Sequence, residues 1–267
     1  MAIADLSAYK ESLSNPAEQL SLTCAATTAV AGRPYDLWTT APPVGTAPTT
    51  AVAPTNATTG SLGQQDSTTG TLGIVGARFN TLSAGLYLIA DRLSHQGGLS
   101  GTTITAQTTN LSTAALTRYT SGEGVMIGLT IYTQIGTTGT TVSCSYTNSS
   151  GTAGRTSPLV VFGGTGFREA SRLILLPLQA GDTGVQSVQS VTVTATTGTA
   201  GNFGVTLFKP IYAMLMDQVN GGAVIDFVTG YSGGGIPEVV DGACLFAIAI
   251  STSTSIQGGG FILLEEY

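Results

Sequence analysis

Basic residues are scarce in this chain, with nine Lys and Arg against fifteen Asp and Glu in 267 residues and a net charge of −6. No basic stripe is present to follow a phosphate backbone, which argues against a nucleic-acid partner. A basic amphipathic helix for a membrane surface is equally missing. Apolar runs are short: the longest, around Ala243 to Ile250, covers about eight residues against the roughly 18 needed to span a bilayer. The opening residues, MAIADLSAYKESLSNPAEQL, lack a basic segment followed by an apolar one, so no secretory signal is expected. One histidine and one tryptophan leave little material for a His-rich metal site or an aromatic carbohydrate platform. Cys24, Cys144 and Cys244 are odd in number and about 100 residues apart, which predicts reduced, buried thiols in a protein made in a cytosol.

The chain does have apolar and hydroxyl residues in quantity. Hydrophobic residues make up 42%, too many for a disordered chain, and threonine exceeds even the 36 glycines. Charged residues are 9%, against roughly 25% in ordinary soluble domains. A surface that neutral is expected to lie against other subunits. The competing explanation is a secreted or extremophilic β protein with a hydroxyl-rich exterior.

Along the chain, Leu6, Tyr9 and Leu13 fall at helical spacing and predict a short amphipathic helix over residues 4–13. Residues 39–59 carry Pro42, Pro43, Pro48 and Pro54 and predict extended backbone, either a linker or an arm laid on a partner. From residue 61 the pattern is β throughout, with strands expected at 72–79, 85–92, 124–134, 140–147, 159–162, 171–178, 186–196 and 203–216. Residues 124–147 read as a hairpin turning at Ile135 to Gly139. The expected fold is all-β, an antiparallel β-sandwich of jelly-roll type with a short N-terminal helix and an extended Pro/Thr-rich arm. Its parts are 1–60 (helix and arm), 61–217 (sandwich body) and 218–267 (Gly-rich loops and hairpin, in the same domain).

Motifs that suggest chemistry do not survive their context. Residues 159–167, LVVFGGTGF, have the strand and glycine turn of a dinucleotide site, but SRLILLPLQ follows as a strand where a helix is required. Gly230 to Gly234 spell G-x-S-x-G around Ser232, yet the only histidine, His95, precedes the serine where an elbow of that type needs it after. His95 itself reads as a structural residue bonding loop backbone, with a titrating intersubunit contact as the functional alternative. Arg92, Arg118, Arg168 and Arg172, with Asp91, Glu123 and Glu169 nearby, are expected to form bidentate ion pairs, within one subunit or across two. Glu265 and Glu266 are the one adjacent acidic pair, too close to the C-terminus to suggest glycosidase carboxylates. No catalytic, cofactor-binding or metal-ligating residue is assigned, and no enzymatic activity is expected.

Several blocks carry a resemblance. TTAVAGRPYDLW (27–38), GSLGQQ (60–65), DRLSHQGGLSGT (91–102), LTRYTSGEGV (116–125) and GNFGVTLFKP (201–210) resemble a family of virion-associated proteins of tailed bacteriophages and prophages. The similarity spans nearly the whole chain and contains no catalytic signature. It implies a structural protein of the virion, made in the bacterial host cytoplasm: a capsid cement or decoration protein bound to the major capsid protein and to copies of itself, by analogy as a trimer. A tail, neck or baseplate subunit and a host-receptor-binding module are the alternatives.

Overall fold

The computed structural model describes Ser7 and residues 18–41, 43–227 and 235–267. The helix expected over 4–13 lies outside the described residues apart from Ser7, as do Pro42 and Ser232. The described chain is nearly all β. Its strands are β1 (Glu18–Thr28), β2 (Pro34–Asp36), β3 (Leu72–Thr81), β4 (Gly85–Leu99), β5 (Gln107–Thr108), β6 (Met126–Thr133), β7 (Thr140–Asn148) and β8 (Arg155–Thr156). They continue with β9 (Val160–Phe162), β10 (Leu173–Leu176), β11 (Val185–Val193), β12 (Asn202–Met216), β13 (Gly222–Asp226), β14 (Glu238–Val239), β15 (Leu245–Ser251) and β16 (Ser255–Glu266).

Three antiparallel, curled sheets result. The central one runs β10-β6-β12-β4-β15-β2. Its edge strands meet at the Tyr35–Arg172 bridge, and the Asp36 N–H donates to the Ser171 carbonyl at 2.8 Å, so the sheet closes on itself. One flanking sheet runs β1-β16-β3, with β13 and β14 on the far edge of β3. The other runs β5-β11-β7, with β8 and β9 on the far edge of β7.

Strand alternation explains how one sheet serves two cores. Along β4, Tyr87 and Ile89 point outward and pack with Leu20, Ile74, Phe79 and Met214 against the first flank. A bulge sets Leu93 and Ser94 opposite the single residue Leu207. Beyond it Leu93 joins Leu129, Val142, Tyr146, Val191 and Phe203 in the core beneath the second flank. Each such side chain, fully buried, is worth about 1.5–3 kcal/mol, which is why the long strands β4 and β12 hold the molecule together. The opposite side of the same strands, with Leu88, Ala90 and Phe208, joins Ile248 of β15 in filling the interior of the closed sheet.

Two expectations are corrected. Residues 124–147 do not form a hairpin: β6 pairs with β10 and β12, whereas β7 pairs with β11, β8 and β9. Apolar alternation is the same in both strands, and its cause is that Ile127, Leu129 and Ile131 face Val142, Cys144 and Tyr146 across a core rather than along a sheet. Nor do the described residues of 39–59 reach away from the body. The His95 and Val52 backbones bridge, the Gly97 N–H donates to the Pro48 carbonyl at 2.7 Å, and Trp38 and Ala41 are buried within the single subunit. Strands β1 and β2 at one end of the chain and β14, β15 and β16 at the other thus share their sheets with strands of residues 61–217.

Close packing in the central sheet shows at Gly204, where an added Cβ would lie 2.0 Å from the Gln96 carbonyl oxygen. Gly204→Ala is expected to destabilise by at least about 1–3 kcal/mol in chemical denaturation. Gly139→Ala, whose Cβ meets nothing within 4 Å, is expected to shift stability by less than about 0.5 kcal/mol.

Candidate functional site

Consecutive residues of β4 send opposite charges to opposite faces of the central sheet. Arg92 points inward. Its Nη2 donates to Asp36 Oδ2 at 2.6 Å and its Nη1 to Thr206 Oγ1 at 2.9 Å, and both ionic side chains are fully buried. The guanidinium lies between two rings, 4.5 Å from the Trp38 centroid and 4.1 Å from that of Phe246. Asp36 is satisfied in turn: Thr130 Oγ1 donates to it at 2.7 Å and the Trp38 N–H at 3.0 Å. Asp91 points the other way, to the seam between the two flanking sheets, and takes a fork from Arg118, Nε to Oδ2 at 2.8 Å and Nη2 to Oδ1 at 2.9 Å. Burial pushes the Asp91 carboxyl up, against the bonds and charge of Arg118 that pull it down. Arg118 Nη2 also donates to the carbonyls of Pro54 and Arg92, tying the extended segment to both pairs.

His95 lies in β4 itself and not in a loop, and it is buried, so it is not an exposed contact between subunits. Its ring stands edge-on to Trp38 at 5.3 Å, and its Nδ1 lies 3.4 Å from Tyr132 Oη. Burial, and after it the Arg92 charge, holds His95 well below its ordinary 6.5, so the ring is neutral. Tyr132 is pushed up to about 12 and Cys244 to about 12, each chiefly by burial. The three cysteines are buried free thiols.

The other singled-out residues are dispersed. Among the described residues Arg172 pairs with no carboxylate: its Nη1 donates to the Pro34 carbonyl at 2.7 Å, and burial lowers it to about 10. Glu169 accepts the N–H groups of Gly166 and Arg168 at 2.8 and 3.2 Å, closing the glycine turn over residues 163–167, which runs on into β10 and not into a helix. Glu123 accepts from Thr183 Oγ1 at 2.7 Å instead of from Arg118. Glu266 accepts the N–H groups of Thr68, Thr69 and Gly70 and both threonine hydroxyls, and these bonds pull it down to about 2.

Asp36 was invisible as a site residue because it sits in the apolar run PYDLW; its only signal was a carboxylate beside the single tryptophan. Arg155–Asp182, at 2.9 Å and joined by Tyr146 and Asn148, was likewise hidden, Asp182 lying in a Gly-Asp-Thr-Gly turn.

This interior is built for packing. The hollow at its mouth, lined by Pro34, Leu86, Leu88, Met126, Leu175 and Ile250, has about 50 Å³, whereas ligand pockets run to roughly 300–1,000 Å³. Among the described residues no three His, Cys, Asp or Glu side chains come together to hold a metal ion, and no helix is long and apolar enough to cross a membrane. Comparison with known proteins gives no match: no protein-family model, curated protein or solved structure is similar to the chain.

Removing one member of the Arg92–Asp36 pair strands the other in the interior. Asp36→Ala is therefore expected to cost about 3–5 kcal/mol in urea denaturation. Arg92→Met with Asp36→Asn should cost less than the two single changes summed, and additive losses would contradict the coupling. A second expectation concerns pH. The unfolded chain protonates His95 near 6.5 while the folded protein does not, so its contribution is fully present above that pH and is lost as pH falls below it. His95→Gln should flatten the stability profile from about pH 6.5 to 5, and parallel profiles would contradict the buried neutral ring.

Proposed function

We propose that the protein is a non-enzymatic structural component of a tailed-phage particle, a cement or decoration protein that binds the major capsid protein and copies of itself and stabilises the shell. The observation that carries this reading is the outer face of the β5-β11-β7-β8 sheet. Thr108, Ser190, Ser145 and Thr156 stand in one cross-strand row, and Thr192–Ser143 and Ser187–Thr147 form further rows. These rows consist of hydroxyls without an ionic group, where a freely solvated sheet would carry charge. Such a face docks on a neutral neighbour without burying unpaired ions, whose desolvation is costly.

The resemblance supports the same reading in a specific way. Its blocks supply Asp36 and Trp38, Asp91, Arg92 and His95, Arg118, and Thr206 and Phe208, the groups that meet in and around the closed sheet. In this chain, then, the blocks that carry the resemblance are also those that supply its framework residues. The jelly-roll-like body belongs to the proposal as well, supported by the antiparallel pairing and by successive strands that cross between sheets, β6 to β7 and β15 to β16.

Quantitative mass spectrometry of purified particles tests the reading: copy number should be near-stoichiometric with the major capsid protein. A handful of copies would contradict cement and favour a tail, neck or baseplate place. Particles lacking the protein should rupture at lower temperature or lower ionic strength, and unchanged rupture would count equally against it.

A further inference from the structure

Strand β1 closes one side of its sheet and offers the other. Thr71 and Tyr267 exchange N–H and carbonyl bonds at 3.0 and 2.9 Å, which makes them a bonded pair across β3 and β16. Main-chain groups alternate sides along a strand, so Leu264, Ile262 and Gly260 of β16 turn theirs to β1, where they meet Glu18, Leu20 and Leu22. Gln19, Ser21 and Thr23 consequently aim their N–H and C=O groups away from β16, and among the described residues nothing pairs with them. Their side chains are exposed.

This edge differs from the others. At 11 residues, β1 is far longer than the edge strands β13, β5, β8 and β9 at 5, 2, 2 and 3 residues. Natural edges are blunted by charge, proline or brevity, yet residues 19–28, QLSLTCAATT, hold no charge and no proline. An irregularity between Cys24 and Thr27 limits the regular stretch to residues 18–24.

We infer that β1 is a self-association edge, at which β1 of a second copy pairs antiparallel about a two-fold axis through Ser21. That register sets Ser21 opposite Ser21 and Gln19 opposite Thr23, each pair exchanging two main-chain bonds. It also sets Leu20 opposite Leu22 on the core side, in contact across the strands. Glu18, the one charge of β1, falls opposite Cys24 and so faces no carboxylate. A strand that is its own complement selects a second copy over an unrelated chain. The inference deepens the proposed role as an assembly subunit, which gives copies a reason to meet, but its geometry stands on β1 alone.

Sedimentation of the isolated full chain tests it. Wild-type protein should form dimers, and Ser21→Pro, which removes only an outward N–H, should give a folded monomer with unchanged circular dichroism. Ser21→Lys, which sets two ammonium groups together at the axis, should do the same without a proline. In the proposed register the two introduced thiols of Ser21→Cys sit on α-carbons about 5.5 Å apart, within disulfide range, so mild oxidation should give a covalent dimer. Gln19→Cys, opposite Thr23, should not. A wild-type monomer up to about 100 µM, a dimer that survives in Ser21→Lys, or equal cross-linking of the two cysteine variants would overturn the inference. Any of these would leave the copy number in particles, and with it the proposed function, to its own test.

Discussion

A guanidinium cannot sit in the dry interior of a small closed sheet unless its charge is answered there, and the arrangement around Arg92, whose Nε finds no hydrogen-bond partner among the described residues, follows from that requirement. Asp36 supplies the opposite charge at 2.6 Å, Thr206 takes a second donor, and the rings of Trp38 and Phe246 cover the two faces of the planar group. Neither carboxylate nor guanidinium keeps contact with water. Such a pair adds little net stability over apolar residues of the same shape, because desolvation offsets attraction. Its effect is specificity: β2 and β4 lie in the one relation that lets the charges meet. The Tyr35–Arg172 bridge then closes the sheet.

The neighbouring Asp91 extends the constraint outward. It anchors Arg118, whose Nη2 also reaches the Pro54 and Arg92 carbonyls. The Pro-rich segment is thereby fastened at Trp38 by its ring, at Val52 by its backbone and at Pro54 by an arginine. Gly45 packs so tightly on the Trp38 ring that an added Cβ would lie 2.2 Å from it. Here glycine is required by close approach and not by turn geometry.

The all-β class, the antiparallel pairing and most strand positions were legible, because period-two alternation in segments such as TTVSCSYT and QSVQSVTVTAT reports a half-buried pleated surface. The partner of each strand was not. Alternation records which side of a strand is apolar and is silent on which sheet it joins, so β6 and β7 read as a hairpin although they face each other across a core. The site was legible in half. Arg92, Arg118 and Asp91 stand out in so neutral a chain, and the Asp91–Arg118 fork joins two of them. Their remaining partner, Asp36, comes from 56 positions away, in a run whose apolar character concealed it. Proline-rich composition likewise indicated extended backbone around residues 39–59 without saying that its own subunit would receive it.

Polar capacity divides between inside and outside. The ion pairs Arg92–Asp36 and Arg118–Asp91 lie within the molecule, whereas neutral hydroxyl rows cover the outer face of one flanking sheet. A framework organised around one internal cluster should open as a unit, and native-state amide hydrogen exchange measures that directly. Amides of β3 and β16 on one flank, β7 and β11 on the other, and β4 and β12 between them are predicted to exchange with one common free energy, that of global unfolding. Separate free energies for the two flanks, with the central sheet following only one of them, would contradict a fold organised as one unit around Arg92 and Asp36.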